Sequence, residues 1–224
     1  MNAICKEISS ELPDCRFGWQ LESVRQSDCS WILTSSDNNR IECDVLLMTT
    51  TPEQSRMLLN DPEVDSLIKD VKMLPCWALM LSVDTPLFAE HDAAFVNQGP
   101  LSWIAAQHSR PGRPPANAWV LHASPEWSMQ HLEEEPETVQ RKLLDAVREL
   151  SIARPFGVVS AVAHRWRYAL ADNPLDCGAL WLENKQLVLA GDWCHGSRVE
   201  GAFLSGAAAA GRVMAAHFKN PSLR

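Results

Sequence analysis

Apolar positions recur every fourth residue at the start of the chain, at Ile4, Ile8 and Leu12, and this spacing predicts a short helix over residues 1 to 12. Two strand-like runs follow, around Trp19 to Val24 and Trp31 to Thr34, with Ser35-Ser36-Asp37-Asn38-Asn39 as a turn. The run Asp44-Val45-Leu46-Leu47-Met48 reads as a buried strand of the parallel type. Thr51-Pro52-Glu53-Gln54 ends it and opens a helix, because it combines an N-cap Thr, a Pro at the first helical position and a Gln at the third. Residues Met73 to Val83 are apolar on both strand faces, which predicts a strand covered on both sides. Leu101 to His108 and Ala118 to Ser124 are further strands, separated by a loop over 109 to 115 whose prolines keep it out of a central ladder.

After Glu133-Glu134-Glu135-Pro136 a helix is expected, with Val139, Leu143, Val147 and Leu150 as its core stripe. Val158 to Tyr168 then alternates, placing Val162, His164, Trp166 and Tyr168 on one face and Ala161, Ala163, Arg165 and Arg167 on the other. Leu187 to Ala190 is a continuous apolar run stopped by Gly191-Asp192, the pattern of a buried strand ending at a tight turn. From Glu200 small residues take over at helical spacing, with Ala202, Ser205, Gly206 and Ala209 expected on one face of a helix that lies close to a neighbour. No internal repeat or low-complexity tract interrupts this order.

Composition narrows the function classes. With 46% apolar residues, nine Trp and 21% charged residues, the 224-residue chain can bury a sizeable core. A formal charge of −8 without clustered Lys and Arg argues against nucleic acid. The seven cysteines form no C-x-x-C pair and no Cys/His metal spacing, so no metal is expected and they read as free thiols of a reducing compartment. No run approaches the ~20 apolar residues of a membrane helix and none resembles a signal peptide, so the expected location is cytoplasmic and no membrane partner is expected.

The chemistry concentrates after the strand at 187 to 190. A strand, a Gly-Asp turn and a Gly-rich helix start gather free backbone N–H groups and a helix dipole where an anion or a polarised carbonyl can sit. Close helix packing explains the same small residues. Gly191-Asp192, Glu200-Gly201-Ala202 and Ser205-Gly206 resemble the C-terminal flavin motif of FAD oxidoreductases of the monoamine oxidase and glutathione reductase type. Read with Pro75-Cys76-Trp77-Ala78, Trp127-Ser128, His164-Arg165-Trp166 and Gly191-Asp192-Trp193-Cys194, the chain is most similar to the bacterial renalase-like branch.

The resemblance implies an α/β (α+β) fold. Residues 1 to 52 and 169 to 224 would form part of a Rossmann-like FAD/NAD(P)-binding domain, and 53 to 168 an inserted mixed-sheet substrate domain. It implies non-covalent FAD, held by Gly191, Asp192, Glu200, Gly201, Ala202 and Ser205, with Asp192 at the ribityl and pyrophosphate region and the Gly201 and Ala202 N–H groups at the flavin C2 carbonyl. Leu21 would sit where the family contacts adenine. Trp193 and Arg198 flank the same turn, and Arg198 takes the place of an aromatic wall in related amine oxidases, which suits an anionic substrate better than an amine. His164 is either a proton carrier beside substrate or a satisfied core histidine. Trp77, Trp103, Trp166 and Tyr168 either line a flat pocket or pack the core, and Cys194 has no partner cysteine nearby in sequence.

One family element is missing. A G-x-G-x-x-G turn brings the backbone against the pyrophosphate, and no such motif occurs in these residues. By resemblance roughly 100 residues of the N-terminal half are absent. The chain therefore reads as an N-terminally truncated oxidase of dihydronicotinamide-type compounds, with oxygen as acceptor. A flavin amine oxidase is the second reading. The third is a non-catalytic half of a split protein that binds a complementing N-terminal half.

Overall fold

The computed structural model describes residues 2 to 27, 30 to 114 and 116 to 219, so Cys29 and Pro115 of the sequence reading lie outside the described residues. Helix α1 (Asn2–Ser10) forms where its periodicity predicts, but Ile4 and Ile8 face outward instead of into a core. Strands β1 (Leu21–Ser27), β2 (Ser30–Ser35) and β3 (Arg40–Cys43) make an antiparallel meander, turned by Asn38 in the left-handed region. Strand β4 (Leu46–Met48) is shorter than expected, since Asp44 and Val45 remain in a bend.

Helix α2 (Pro52–Leu59) starts as its sequence dictates. Thr51 Oγ1 accepts from the Gln54 N–H while the Gln54 side chain accepts from the Thr51 N–H, and Pro52 occupies a position whose N–H has no use. Helix α3 (Pro62–Ile68) repeats the device with Asp61, whose carboxylate caps Glu63 and Val64. Strand β5 (Lys72–Val83) then enters a five-stranded sheet with β6 (Ala93–Gln98), β7 (Leu101–Ala106) and β8 (Ala118–Ala123). Helices α4 (Pro125–Gln130) and α5 (Pro136–Arg148) cover it, α5 burying Val139, Leu143 and Val147 as its stripe predicts.

Strand β9 (Val158–Asp172) closes this sheet, giving the order β6-β7-β8-β5-β9. All of its pairings are antiparallel, so the expected mixed sheet is found elsewhere. That mixed sheet is the small one formed by β10 (Leu180–Leu182), β11 (Leu187–Leu189) and β4, in the order β10-β11-β4. Here β11 and β4 run parallel, Leu187 opposite Leu46 and Leu189 opposite Met48. Two uninterrupted apolar runs far apart in sequence are thus neighbours, as buried strands entering helix starts should be. Helix α6 (Val199–Lys219) ends the described chain.

The interior divides into two main clusters. Trp77, Leu79, Leu101, Ile104, Trp119, Leu121 and Leu143 fill the space between the large sheet and α5. Trp31, Leu46, Met48, Leu187, Leu189 and Trp193 form the second, to which α3 adds Val64 and Ile68. The β5/β9 ladder joins them, running from Lys72 opposite Asp172 to Val83 opposite Val158. It slips register between Leu74 and Cys76, where Pro75 lacks an N–H to contribute. Its covering is uneven: Met80 of β5 is 44% exposed, against the expectation of a strand covered on both faces.

Candidate functional site

Between β11 and α6 the chain makes one compact turn, and its geometry follows from a few residues. Gly191 cannot carry a side chain: a Cβ would lie 2.5 Å from the Trp193 indole nitrogen. Its N–H donates to Ser205 Oγ at 2.9 Å, and Ser205 donates in turn to the Gly178 carbonyl at 2.5 Å. Asp192 to Cys194 form a single 3₁₀ turn, and the Asp192 carbonyl accepts from both the His195 and Ser197 N–H groups. Gly201 packs its α-carbon onto the His195 carbonyl so tightly that any Cβ would overlap it. The turn is therefore pinned at both ends, with Asp192 half-buried between them.

Burial raises the Asp192 carboxyl above the ordinary range, against the pull of backbone N–H groups at Trp193 and Asp192 itself. A carboxylate held partly dry, with spare acceptor capacity, is disposed to take hydrogen bonds from hydroxyl groups brought to it. Beside it, Arg198 is exposed and its guanidinium has no ion-pair partner among the described residues. Glu200 lies exposed on the first turn of α6. The N–H groups of the residues before Ala202, Glu200 and Gly201 among them, have no partner within the helix, whose first internal bond runs from Ala202 to the Arg198 carbonyl.

Three expected site residues take other places. Trp193 is 1% exposed and donates its indole N–H to the Thr50 carbonyl at 3.1 Å, so its ring fills the core under β4 and faces no open surface. Ser205 is buried with its hydroxyl spent between Gly191 and Gly178, which makes it the clamp of the turn and leaves it no donor for a cofactor. The Ala202 N–H donates to the Arg198 carbonyl at 2.9 Å and is not free for a flavin carbonyl. Ala202 and Gly206 also face outward; Gly201, Ser205 and Ala209 form the buried edge of α6. Leu21 begins β1 opposite Ser35, on a separate sheet from the turn.

The β9 face alternates as its sequence requires. Val162, His164, Trp166 and Tyr168 are exposed on one side, while Ala163 is buried on the other. His164 is thus no core histidine; its ring meets Trp166 edge to face at 4.6 Å. Trp77, by contrast, is fully buried, with its indole N–H on the His131 carbonyl and Arg165 above its ring, and Trp103 is half-buried against Phe95. Of the four candidate aromatics only Trp166 and Tyr168 line an open surface.

The end of β9 is tied to the turn. The Ala171 N–H donates to Ser197 Oγ at 2.6 Å, a contact that no sequence pattern foretold, since Ser197 sits between Gly196 and Arg198 in what reads as an ordinary loop. His164 is about seven residues back along the strand, roughly 20 Å away, so the structure brings Tyr168 and Leu170 nearer the turn than His164. Arg167 and Arg165 point to the opposite face, where Glu133 receives both, and its carboxyl stays below the ordinary range through the Arg167 hydrogen bond. Among the described residues no group of His, Cys, Asp or Glu is arranged to hold a metal ion, and no helix is long and apolar enough to cross a membrane.

A family model described as flavin containing amine oxidoreductase matches residues 2–214. It spans both core clusters, the β9 face and the whole turn from Gly191 to Ser205. By that match the chain belongs to the flavin containing amine oxidoreductases, a family of enzymes whose cofactor is FAD.

Proposed function

We propose that this chain carries the flavin end and the substrate face of a renalase-like oxidoreductase that oxidises a dihydronicotinamide-type compound, with oxygen as electron acceptor. The observation that carries the reading is a half-buried carboxylate and an unpaired arginine on one rigid turn, Asp192 and Arg198. The residues present fit the flavin and ribityl end of the cofactor. Asp192 supplies an acceptor for ribityl hydroxyls, and the open Glu200 and Gly201 N–H groups, aided by the α6 dipole, suit the C2 carbonyl. When bound, the flavin supplies the hydride acceptor, at N5.

The chain's own residues do the positioning. Arg198 would draw and orient a phosphate-bearing or otherwise anionic substrate. Trp166 and Tyr168 offer flat apolar surface to a planar ring and keep water from it. The nucleotide phosphates find no glycine cradle among the described residues. We assign that duty to polypeptide outside them, either a preceding segment or a complementing N-terminal half. We also take the protein to be cytoplasmic, with residues 53 to 168 as its substrate domain. An amine is the competing substrate class: the family description names it, and exposed Trp166 and Tyr168 rings attract cations.

The test uses flavin-loaded protein and anaerobic reduction by dihydronicotinamide isomers and, separately, by simple amines. Asp192→Ala should lower flavin content, with partial recovery in excess FAD. Arg198→Ala should leave the bound flavin spectrum unchanged while slowing reduction by about 10- to 150-fold, roughly 1.5–3 kcal/mol for a lost charged hydrogen bond. Reduction by amines alone, or an Arg198→Ala protein as fast as its parent with every reductant, would overturn the dihydronicotinamide reading.

A further inference from the structure

The sequence separates Cys177 from Cys194, but the fold sets them against each other. Asp176 and His195 form an antiparallel bridge, so the next residue on each strand, Cys177 and Cys194, stand opposite. The Cys177 and Gly178 N–H groups both donate to the Cys194 carbonyl, at 3.2 and 3.1 Å. Opposed residues of an antiparallel pair have α-carbons about 4.5–5.5 Å apart, inside the roughly 4.4–6.8 Å that a disulfide spans. The Cys194 thiol donates to the Leu189 carbonyl at 3.8 Å, and the neighbouring Cys177 is among the groups that act on it. Their backbones are held from outside as well: Leu175 donates to the Trp193 carbonyl at 2.8 Å, Arg212 to the Cys177 carbonyl at 3.2 Å and Ser205 to the Gly178 carbonyl.

We propose that Cys177 and Cys194 are a dithiol site for reversible oxidation by hydrogen peroxide, closing to a disulfide that locks the 176–178 segment onto the Asp192 turn. Exposure assigns the roles. Cys177 is half-buried and within reach of a small oxidant, whereas Cys194 is fully enclosed. Burial also pushes the Cys194 thiol up, which keeps it protonated and unsuited to the first attack. The Cys177 sulfur, as thiolate, attacks one peroxide oxygen; an S–O bond forms, the O–O bond breaks, and hydroxide takes a proton to leave as water. Cys194 sulfur then attacks the Cys177 sulfenic acid; the S–S bond forms, the S–O bond breaks, and its proton leaves with hydroxide as a second water. Two thiols lose two electrons and two protons, and peroxide becomes two waters. The site stands whether or not the flavin reading does, because it depends only on the chain's own cysteines.

The 224-residue chain is treated with hydrogen peroxide, quenched, unfolded, alkylated and digested without reduction. A peptide linking Cys177 to Cys194 is expected, about 2 Da lighter than the two thiol peptides together and separated again by dithiothreitol. The oxidised chain should melt about 5–10 °C above the reduced one, since the cross-link closes a short loop of a chain this size. In Cys194→Ser, dimedone should trap the sulfenic acid at Cys177; in Cys177→Ser, Cys194 should remain alkylatable after the same treatment. The proposal is overturned if both cysteines stay alkylatable in the treated parent. It is equally overturned if Cys177 pairs with Cys43 or another molecule, or if Cys177 passes to sulfinic acid while Cys194 stays free.

Discussion

Asp192 shows how one half-buried carboxylate can weaken a fold. Its carboxyl is raised by burial, so in the folded chain it holds its proton to higher pH than in the unfolded chain. A raised folded value means stability that is complete below the unfolded pKa, roughly 3.9, and lost as pH rises through the folded one. Asp192→Asn keeps an acceptor for the same backbone N–H groups and removes the charge. The variant should therefore melt higher than the parent at pH 7, and the difference should vanish near pH 4; thermal melts at the two pH values check this. A variant that melts lower at pH 7 would mean that the charge is held by contacts the turn already makes. Gly201 is the opposite case, a residue read from the sequence both as an N–H donor to the flavin and as a point of close helix packing, and only the packing is visible in the fold. The structure gives the reason, the His195 carbonyl against its α-carbon.

At the scale of elements, local chemistry carried most of the reading. The capping box at Thr51, the stripe of α5 and the alternation of β9 all form where their residues require, because each is decided within about one turn or one strand of neighbours. The small face of α6 did not follow, for Ala202 and Gly206 are exposed and Gly201, Ser205 and Ala209 buried. Helical spacing defines which residues share a face; the neighbour decides which face is used. Helix α3 carries a testable device of its own. Asp61 caps the helix and pairs with Lys185, which also reaches Glu63 at 3.0 Å. Burial opposes the charge on Asp61, but the Lys185 hydrogen bond and the capped N–H groups outweigh it and hold the carboxyl low. A lowered value contributes stability above the unfolded pKa and loses it as pH falls through the folded one. Asp61→Ala should cost about 1–2 kcal/mol in urea unfolding at pH 7, and less than that below pH 3. An equal loss at both pH values would remove the ion pair from the account.

Across the whole molecule, apolar side chains lie open at many points, those of α6 and β9 among them. Phe203, at 65% exposure, and Met214 stand on the outer side of α6; Val162 and Trp166 stand on β9. Strand β4, the edge of the small sheet, has no neighbour on its far side among the described residues. With no G-x-G-x-x-G turn in the sequence, the 224-residue chain purified by itself should contain little FAD, because the contacts proposed for it address one end of the cofactor. Stoichiometric flavin absorbance in that preparation would contradict this. What the sequence determined by itself was local and periodic: the strands, the caps, the α/β class and the Gly-Asp turn before a helix of small residues, each encoded within a few positions. Only the tertiary structure decided which sides were buried. It placed Trp193 inside, used up Ser205 as a clamp, turned His164 outward and set Cys177 against Cys194, since each of these depends on a residue that is remote in sequence and selected by packing.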